Sequence, residues 1–189
     1  MSRKPLLVVV SGPPGAGKTT LAHLLARRIG CPAICRDEIK EGMVHATHNF
    51  VAAPGDDLDL RTLATFFRLL ELLLGAGVTT VAEAAFQDRV WRPRLLALRE
   101  LAEISVVHCQ VTADTAGARM RRRQAEDPTR RAHADAHVID QPARVAAHDG
   151  FQRVQLDVPE IEVDTSDGYH PTLEEIVAFV DAARPSAPA

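Results

Sequence analysis

Residues 12–20 combine glycines, a lysine and threonines in an order suited to binding phosphate. They follow an apolar run at 6–10 and precede an amphipathic helical pattern. Glycine adopts backbone angles closed to other residues, so successive N–H groups of such a loop can turn inward around an anion. The predicted phosphate-binding residues are Gly12, Pro13, Pro14, Gly15, Ala16, Gly17, Lys18, Thr19 and Thr20.

The end of this loop indicates a nucleotide with a metal ion. Lys18 adds a mobile positive charge for the outer phosphates, and the hydroxyl of Thr19 can hold Mg²⁺. The N-terminus of the following helix contributes partial positive charge. We therefore expect ATP and Mg²⁺ as cofactors. The alternative, a Gly-rich turn without a ligand, is disfavoured because strand, loop and helix signals coincide.

Length and composition are typical of one globular domain. The chain has 189 residues, of which 46% are hydrophobic and 25% are charged. We expect a single domain over 1–183 and a disordered tail over 184–189. The formal net charge is only −3, which disfavours a general nucleic-acid binder because such binding rests on a basic surface.

The sequence predicts a cytoplasmic protein without a membrane partner. No stretch approaches the roughly 20 apolar residues of a membrane span. The apolar run behind Arg3 and Lys4 stops too early for an export signal. Cys31, Cys35 and Cys109 form a sparse and odd set, which fits a reducing compartment. We interpret Cys31 and Cys35 as buried thiols, since no second ligand pair at metal-site spacing follows them.

Short apolar runs rich in β-formers alternate with longer helical patterns. The strands are predicted near 6–10, 33–35, 78–82, 104–111 and 161–163, and the helices at 18–29, 37–44, 58–75, 92–103, 113–125, 138–148 and 172–183. This alternation indicates an α/β fold with a parallel sheet. Pro93 suits the first turn of the fourth helix. Thr172 and Glu175 form a capping-box pattern at the start of the last helix.

Several segments together resemble a known family. They are the loop at 11–20, Cys35-Arg-Asp-Glu-Ile39, Val81-Ala-Glu-Ala-Ala-Phe86, and Val163-Asp-Thr-Ser166 behind an Arg-rich stretch. The combination resembles the compact P-loop kinases, including gluconate and shikimate kinases. More narrowly, it resembles the predicted-kinase branch of AAA-type ATPases near zeta toxins and chloramphenicol phosphotransferase. The resemblance implies a three-layer P-loop NTPase fold with a five-stranded parallel sheet in the order 2-3-1-4-5 and a helical, Arg-rich lid.

Asp37 is the candidate for the acceptor hydroxyl. It follows the short second strand, so it lies at the carboxyl edge of the sheet, where ligands of open α/β folds bind. A carboxylate there can orient an alcohol and accept its proton during phosphoryl transfer. The resemblance implies the same role. The alternative interpretation is a helix N-cap, with Glu38 and Lys40 merely solvated.

Glu83 closes the third strand and resembles the acid of a Walker B element. It is predicted to hold Mg²⁺ with Thr19, partly through water, or to contact the substrate. Arg89 follows on the next loop as a candidate substrate contact. The alternative is a structural pairing of Glu83 with Arg89 or Lys18, and Trp91 is either pocket lining or core.

An Arg-rich segment over 119–137 is the candidate lid. Guanidinium groups can bind phosphate oxygens and neutralise charge that develops on the transferred group. The resemblance implies that Arg119 or Arg123 lies against the adenine and that Thr165 and Ser166 border it. Arg130 and Arg131 are the candidates for the γ-phosphate. The alternative interpretations are a solvated helix face for the arginines and a simple turn at 164–168.

These residues predict a kinase that phosphorylates a hydroxyl of a small molecule such as a sugar, a nucleoside or an antibiotic. A nucleoside monophosphate kinase is disfavoured because the segment from Glu83 to Arg89 lacks the motif of that class. Two alternatives stay open, a polynucleotide 5′-hydroxyl kinase and a nucleotide-binding regulatory NTPase. The acceptor, the choice between ATP and GTP, and the oligomeric state are not specified by the sequence.

Overall fold

The computed structural model describes residues 3–53, 55–126, 132–133 and 150–184. The strands are β1 (Leu6–Ser11), β2 (Ala33–Cys35), β3 (Thr80–Glu83), β4 (Glu103–Gln110) and β5 (Glu160–Asp164). The helices are α1 (Lys18–Ile29), α2 (Arg36–His45), α3 (Asp57–Gly75), α4 (Asp88–Leu98), α5 (Ala113–Glu126) and α6 (Leu173–Ala182). The predicted helix at 138–148 lies outside the described residues.

The five strands form one parallel sheet in the order β2-β3-β1-β4-β5, as predicted. In its register, Val10 of β1 lies beside Glu83 of β3 and Val107 of β4. Cys35 at the end of β2 also lies beside Glu83. The carboxyl ends of β1, β2 and β3 therefore meet at one edge, next to the phosphate-loop segment that follows β1.

Helices cover both faces of this sheet and give the fold its three layers. Alternate residues of β1 enter opposite cores: Val8 packs in the core that contains α1 and α6, and Val9 in the core that contains α3 and α4. Both strand residues are fully buried. A central strand that is buried on both faces has a continuous apolar sequence, which is why β1 could be predicted from the sequence.

The second core is built around aromatic rings. Phe66 of α3 lies edge-on to Trp91 of α4, with ring centroids 5.9 Å apart, and Phe86 lies 4.7 Å from the same indole. These rings fix α3 and α4 against the sheet face below the carboxyl edge. Trp91 is therefore core, as one interpretation held, and it is also pocket lining, as the other held, because it lines the cavity described below.

Most helix boundaries agree with the sequence patterns, and α4 is the exception. It begins at Asp88 and ends at Leu98, so Pro93 is its sixth residue and lies outside the first turn. The prediction was wrong because contacts from another segment start the helix early: the N–H of Asp88 donates to Gln152 O at 3.1 Å, and its carboxylate accepts from Gln155 N at 2.8 Å.

The start of α6 was predicted correctly from the local sequence alone. Thr172 and Glu175 form the predicted capping box, with both reciprocal hydrogen bonds present. Across the described ranges, no helix combines the length and apolar character that crossing a bilayer requires.

Candidate functional site

The phosphate-loop segment connects β1 to α1 and is held against neighbouring backbone. A Cβ on Gly12 would lie 2.4 Å from the carbonyl oxygen of Cys109, and one on Gly15 would lie 2.6 Å from that of Ala116. Both glycines also have positive φ angles, 154° and 81°. No other residue fits these two positions without shifting β4 or α5, which explains why glycine is required there.

The start of α1 presents its backbone to this loop. Its N-cap residue, Gly17, has no side chain that could accept from the N–H groups of the first turn. Those groups and the helix dipole are therefore available to an anion. The buried ammonium of Lys18 donates to the Pro13 carbonyl at 3.1 Å and lies 4.0 Å from a carboxylate oxygen of Glu83. The lysine thus lies across the loop, between it and β3.

Glu83, at the end of β3, contacts Thr19, the second residue of α1. The hydroxyl of Thr19 donates to Oε2 of Glu83 at 3.1 Å, and the carboxylate is almost fully buried. Burial raises the pKa of Glu83, the charge of Lys18 opposes that shift, and the charge of Asp37 adds to it. A buried carboxylate next to a hydroxyl is a pair of hard oxygen ligands, so these residues fit Mg²⁺.

Asp37 lies on the same cavity as the phosphate loop. It is the second residue of α2, and the N-cap of that helix is Cys35, so the N-cap interpretation of Asp37 was wrong. Its carboxylate is 44% exposed and accepts from Nη1 of Arg36 at 3.2 Å. The predicted placement at the carboxyl edge of the sheet is correct, because α2 begins directly where β2 ends.

Sequence reasoning missed a buried ion network beside Asp37. Lys40, solvated only in the alternative interpretation of Asp37, is 2% exposed and lies 3.0 Å from a carboxylate oxygen of Asp56 and 3.0 Å from one of Asp59. Arg36 also pairs with Asp59, at 2.9 Å. The spacing of Arg36 and Lys40, four residues apart on one helix face, is the signal that could have indicated this network.

A cavity of about 750 Å³ joins these groups. Its lining includes Lys18, Thr19 and Glu83, and also Arg36, Asp37 and Asp59. The apolar side chains of Leu60 and Val90, which are 68% and 49% exposed, line it as well, together with Leu63 and Trp91. The cavity therefore combines residues of the phosphate loop, neighbouring carboxylates and apolar side chains.

A second cavity, of about 470 Å³, also borders the phosphate loop. Gly17, Arg119, Thr165 and Tyr169 line it. Arg119 donates to the carbonyl oxygens of Thr165 at 2.5 Å and Ser166 at 3.2 Å. The Thr165 hydroxyl lies 3.1 Å from the carbonyl oxygen of Ala16, so it links the end of β5 to the phosphate loop.

The remaining predicted residues have different positions. Arg123 lines both cavities. Ser166 is not among the residues that line either of them, although its carbonyl holds Arg119. Arg89 is exposed on α4 and is absent from the lining of the large cavity. Arg130 and Arg131, together with the rest of 127–131 and with 134–137 of the expected lid, lie outside the described residues.

The sequence itself decides the family. A family profile described as an AAA domain matches residues 7–148, from β1 past α5. The chain belongs to this AAA domain family. No curated protein sequence matches the chain at a significant level.

Solved structures share the fold of this AAA domain. A candidate kinase from Chloroflexus aurantiacus J-10-fl superposes with a TM-score of 0.86 at 20% identity, covering 97% of this chain and 100% of that one. Kti12 of Chaetomium thermophilum, solved with ADP-AlF3, gives a TM-score of 0.69 at 17% identity, with 95% and 100% coverage. A gluconokinase from Sinorhizobium meliloti 1021 gives 0.58 at 21% identity, with 96% and 93% coverage.

These likenesses establish the α/β P-loop NTPase-like fold of the AAA domain. The identities are too low to carry an activity or an acceptor from one chain to the other. The narrower resemblance to zeta toxins and chloramphenicol phosphotransferase stays a prediction.

Proposed function

We propose that this AAA domain is an ATP- and Mg²⁺-dependent kinase that transfers the γ-phosphate of ATP to a hydroxyl of a small molecule. The observation that carries the proposal is the shared cavity of about 750 Å³, in which Asp37 lies with Lys18, Thr19 and Glu83. A regulatory NTPase needs the last three residues but has no need of a carboxylate for an acceptor. The arrangement thus favours transfer to an alcohol.

In this proposal the chain supplies position and charge, which dominate phosphoryl transfer. The loop and Lys18 hold the outer phosphates. Asp37 orients the acceptor hydroxyl and accepts its proton while the oxygen of that hydroxyl bonds to the γ-phosphorus. The bond from that phosphorus to the bridging oxygen of ADP breaks, and ADP leaves with the electron pair. Thr19 and Glu83 would hold Mg²⁺, which neutralises charge on the phosphate oxygens when it is bound.

The walls of the cavity support a small acceptor with an apolar face. Leu60, Val90 and Trp91 add apolar surface to the cavity that also contains the carboxylates of Asp37 and Asp59. Arg36, the basic side chain beside Asp37, is already paired with two carboxylates. An alcohol with an apolar portion, such as a nucleoside or an antibiotic, matches these walls better than a polyanion does. This observation disfavours the polynucleotide alternative.

The test is transfer of labelled γ-phosphate from ATP, and in parallel from GTP, to a panel of hydroxyl compounds. The panel contains sugars, nucleosides, antibiotics with free hydroxyls and 5′-hydroxyl oligonucleotides, and mass spectrometry locates the product phosphate. We expect a phosphorylated small molecule whose formation is lost in Lys18→Ala and Asp37→Asn. Asp57→Asn, at an exposed position in the first turn of α3, is the matched control and should transfer normally.

Two outcomes would overturn the proposal. Labelling of the oligonucleotides alone would assign the chain to the polynucleotide kinases. Slow hydrolysis of ATP that is equal in wild type and Asp37→Asn, with no labelled acceptor, would favour the regulatory NTPase.

A further inference from the structure

Three side chains of types that can ligate a metal ion, from three elements, meet near Glu83, which lines the large cavity. They are His23 of α1, Cys35 at the end of β2 and Glu38 in the first turn of α2. Nε2 of His23 lies 2.7 Å from Oε1 of Glu38 and 3.7 Å from Sγ of Cys35. All three ligand atoms lie within 4.8 Å of one another.

These distances are close to those of a tetrahedral zinc site. Zinc bonds of about 2.3 Å to sulfur and about 2.0 Å to nitrogen or oxygen place neighbouring ligand atoms roughly 3.3–3.6 Å apart. The separation of 3.7 Å between His23 and Cys35 already matches this geometry. The distance of 2.7 Å between His23 and Glu38 must increase for both to bind one ion. Rotation of the two side chains can provide this increase, because they are 42% and 46% exposed.

The chemistry of the ligands selects the ion. A thiolate, an imidazole and a carboxylate together suit Zn²⁺, whereas Mg²⁺ prefers oxygen ligands alone. Two of the positions are fixed by regular structure, because Cys35 is buried at the end of the sheet and His23 lies one turn after Thr19 on α1. The half-exposed His23 and Glu38 leave the cluster accessible from solvent.

We propose that His23, Cys35 and Glu38 form a zinc site with three protein ligands and water at the fourth position. On binding, the thiol of Cys35 loses its proton to solvent and the sulfur bonds to the metal. The site ties α1 to the start of α2, the helix that carries Asp37. Its three ligands differ from Thr19 and Glu83, although Cys35 also contacts Glu83, and the site does not depend on the proposed kinase reaction.

The test is titration of the metal-free protein with Zn²⁺ and with Co²⁺, without nucleotide. We expect one equivalent of either metal to bind, with a thiolate-to-cobalt absorption band for Co²⁺ and a raised melting temperature for Zn²⁺. Cys35→Ser should abolish the band. His23→Gln and Glu38→Gln should each weaken binding by at least about tenfold, since loss of even an outer-shell group has that effect.

Matched variants keep the result specific. Cys31→Ser replaces a partly exposed cysteine outside the cluster and should bind both metals as the wild type does. Glu83→Gln should also retain the cobalt band. Binding that survives Cys35→Ser and His23→Gln would overturn the proposal, as would binding lost only in Glu83→Gln or the absence of binding by folded wild-type protein. Circular dichroism of each variant confirms that it is folded, and His23→Gln, at a half-exposed position, tests the site if Cys35→Ser does not fold.

Discussion

In the proposed reaction, Lys18, Asp37 and Glu83 have three different functions. Lys18 contacts the loop that would hold phosphate, and Asp37 lies on the same cavity from a different element. Glu83 is buried between them with a raised pKa. Substitutions at the three positions should therefore have separable effects on nucleotide binding, transfer and stability.

Asp37→Asn should separate binding from chemistry. We expect ATP affinity close to that of wild type, because the loop is intact, and phosphoryl transfer slower by about 10²–10⁴-fold, the usual contribution of a general base. Lys18→Ala should weaken both. Calorimetric titration with ATP and initial rates with the identified acceptor measure the two effects. Equal losses of ATP affinity in both variants would contradict the assignment.

Glu83→Gln should stabilise the free protein at neutral pH while it removes activity. Burial raises the pKa of Glu83, so the folded state favours the protonated acid, and its contribution to stability is lost as pH rises through the raised pKa. Glutamine mimics the neutral acid and keeps an acceptor for Thr19.

We expect the melting temperature of Glu83→Gln at pH 8 to exceed that of wild type by about 2–4 °C, which corresponds to about 1 kcal/mol in a chain of this length. The difference should shrink toward pH 4. Melting curves across this range, without added metal, provide the measurement. A constant or negative difference would show that burial of this charge carries no cost.

At the scale of elements, buried charged groups join α2 to the start of α3. Lys40 links α2 to Asp56, whose other carboxylate oxygen caps α3 by accepting from Asp59 N at 2.9 Å. The ammonium also lies 5.8 Å from the ring centroid of Phe50. One buried cation thus fixes the start of α3, and with it the position of Leu60 in the lining of the cavity.

Lys40→Met should therefore destabilise the fold by about 3 kcal/mol, the lower part of the range for breaking a buried ion pair, since Asp59 keeps Arg36. Urea unfolding measures the loss. The double variant Lys40→Met with Asp56→Asn should recover part of it, because it removes the carboxylate left unpaired. Lys4→Met, at an exposed position, is the control. A loss as small as that of the control would show that the network is not stabilising.

A second buried titratable group, His108, lies on β4 next to the edge strand β5. His108 of β4 is buried, its Nε2 lies 3.1 Å from Oε2 of Glu160, and its Nδ1 has no hydrogen-bond partner among the described residues. Burial lowers the pKa of His108 below the usual 6.5, with Glu160 opposing the shift. The unfolded chain therefore binds a proton at a higher pH than the folded chain does.

It follows that wild-type stability falls as pH decreases below about 6.5, where unfolded chains protonate this histidine first. We expect His108→Gln to reduce this loss between about pH 6.5 and pH 5 while the two proteins keep a constant difference above pH 7.5. Free energies of unfolding from urea titrations at several pH values test this. Parallel pH profiles for the two proteins would contradict it.

For the whole molecule, sequence predicts the scaffold better than the site. The phosphate loop and the alternation of strands and helices are local signals, and the sheet order followed from the resemblance. The position of Asp37 on the cavity could be predicted because it follows β2 closely, at the carboxyl edge of the sheet. Lys40 was missed because its partners lie 16 and 19 residues away across a loop, a separation that no helical or strand period records.

The zinc-type cluster and the early start of α4 escaped prediction for the same reason. Cys35 finds its metal-site partners on other elements, and Asp88 takes its hydrogen bonds from the segment before β5. Such long-range pairings depend on how the layers pack. The roles of the lid arginines Arg130 and Arg131, outside the described residues, stay predictions.

The fate of the γ-phosphate in a single turnover tests the central claim most directly. Enzyme in excess over labelled ATP, with a saturating acceptor, is quenched at successive times, and labelled acceptor and free phosphate are separated. The account predicts that wild type delivers the label to the acceptor hydroxyl, whereas Asp37→Asn binds ATP but delivers almost none. Release of the label as free phosphate at the same rate in both proteins would contradict it.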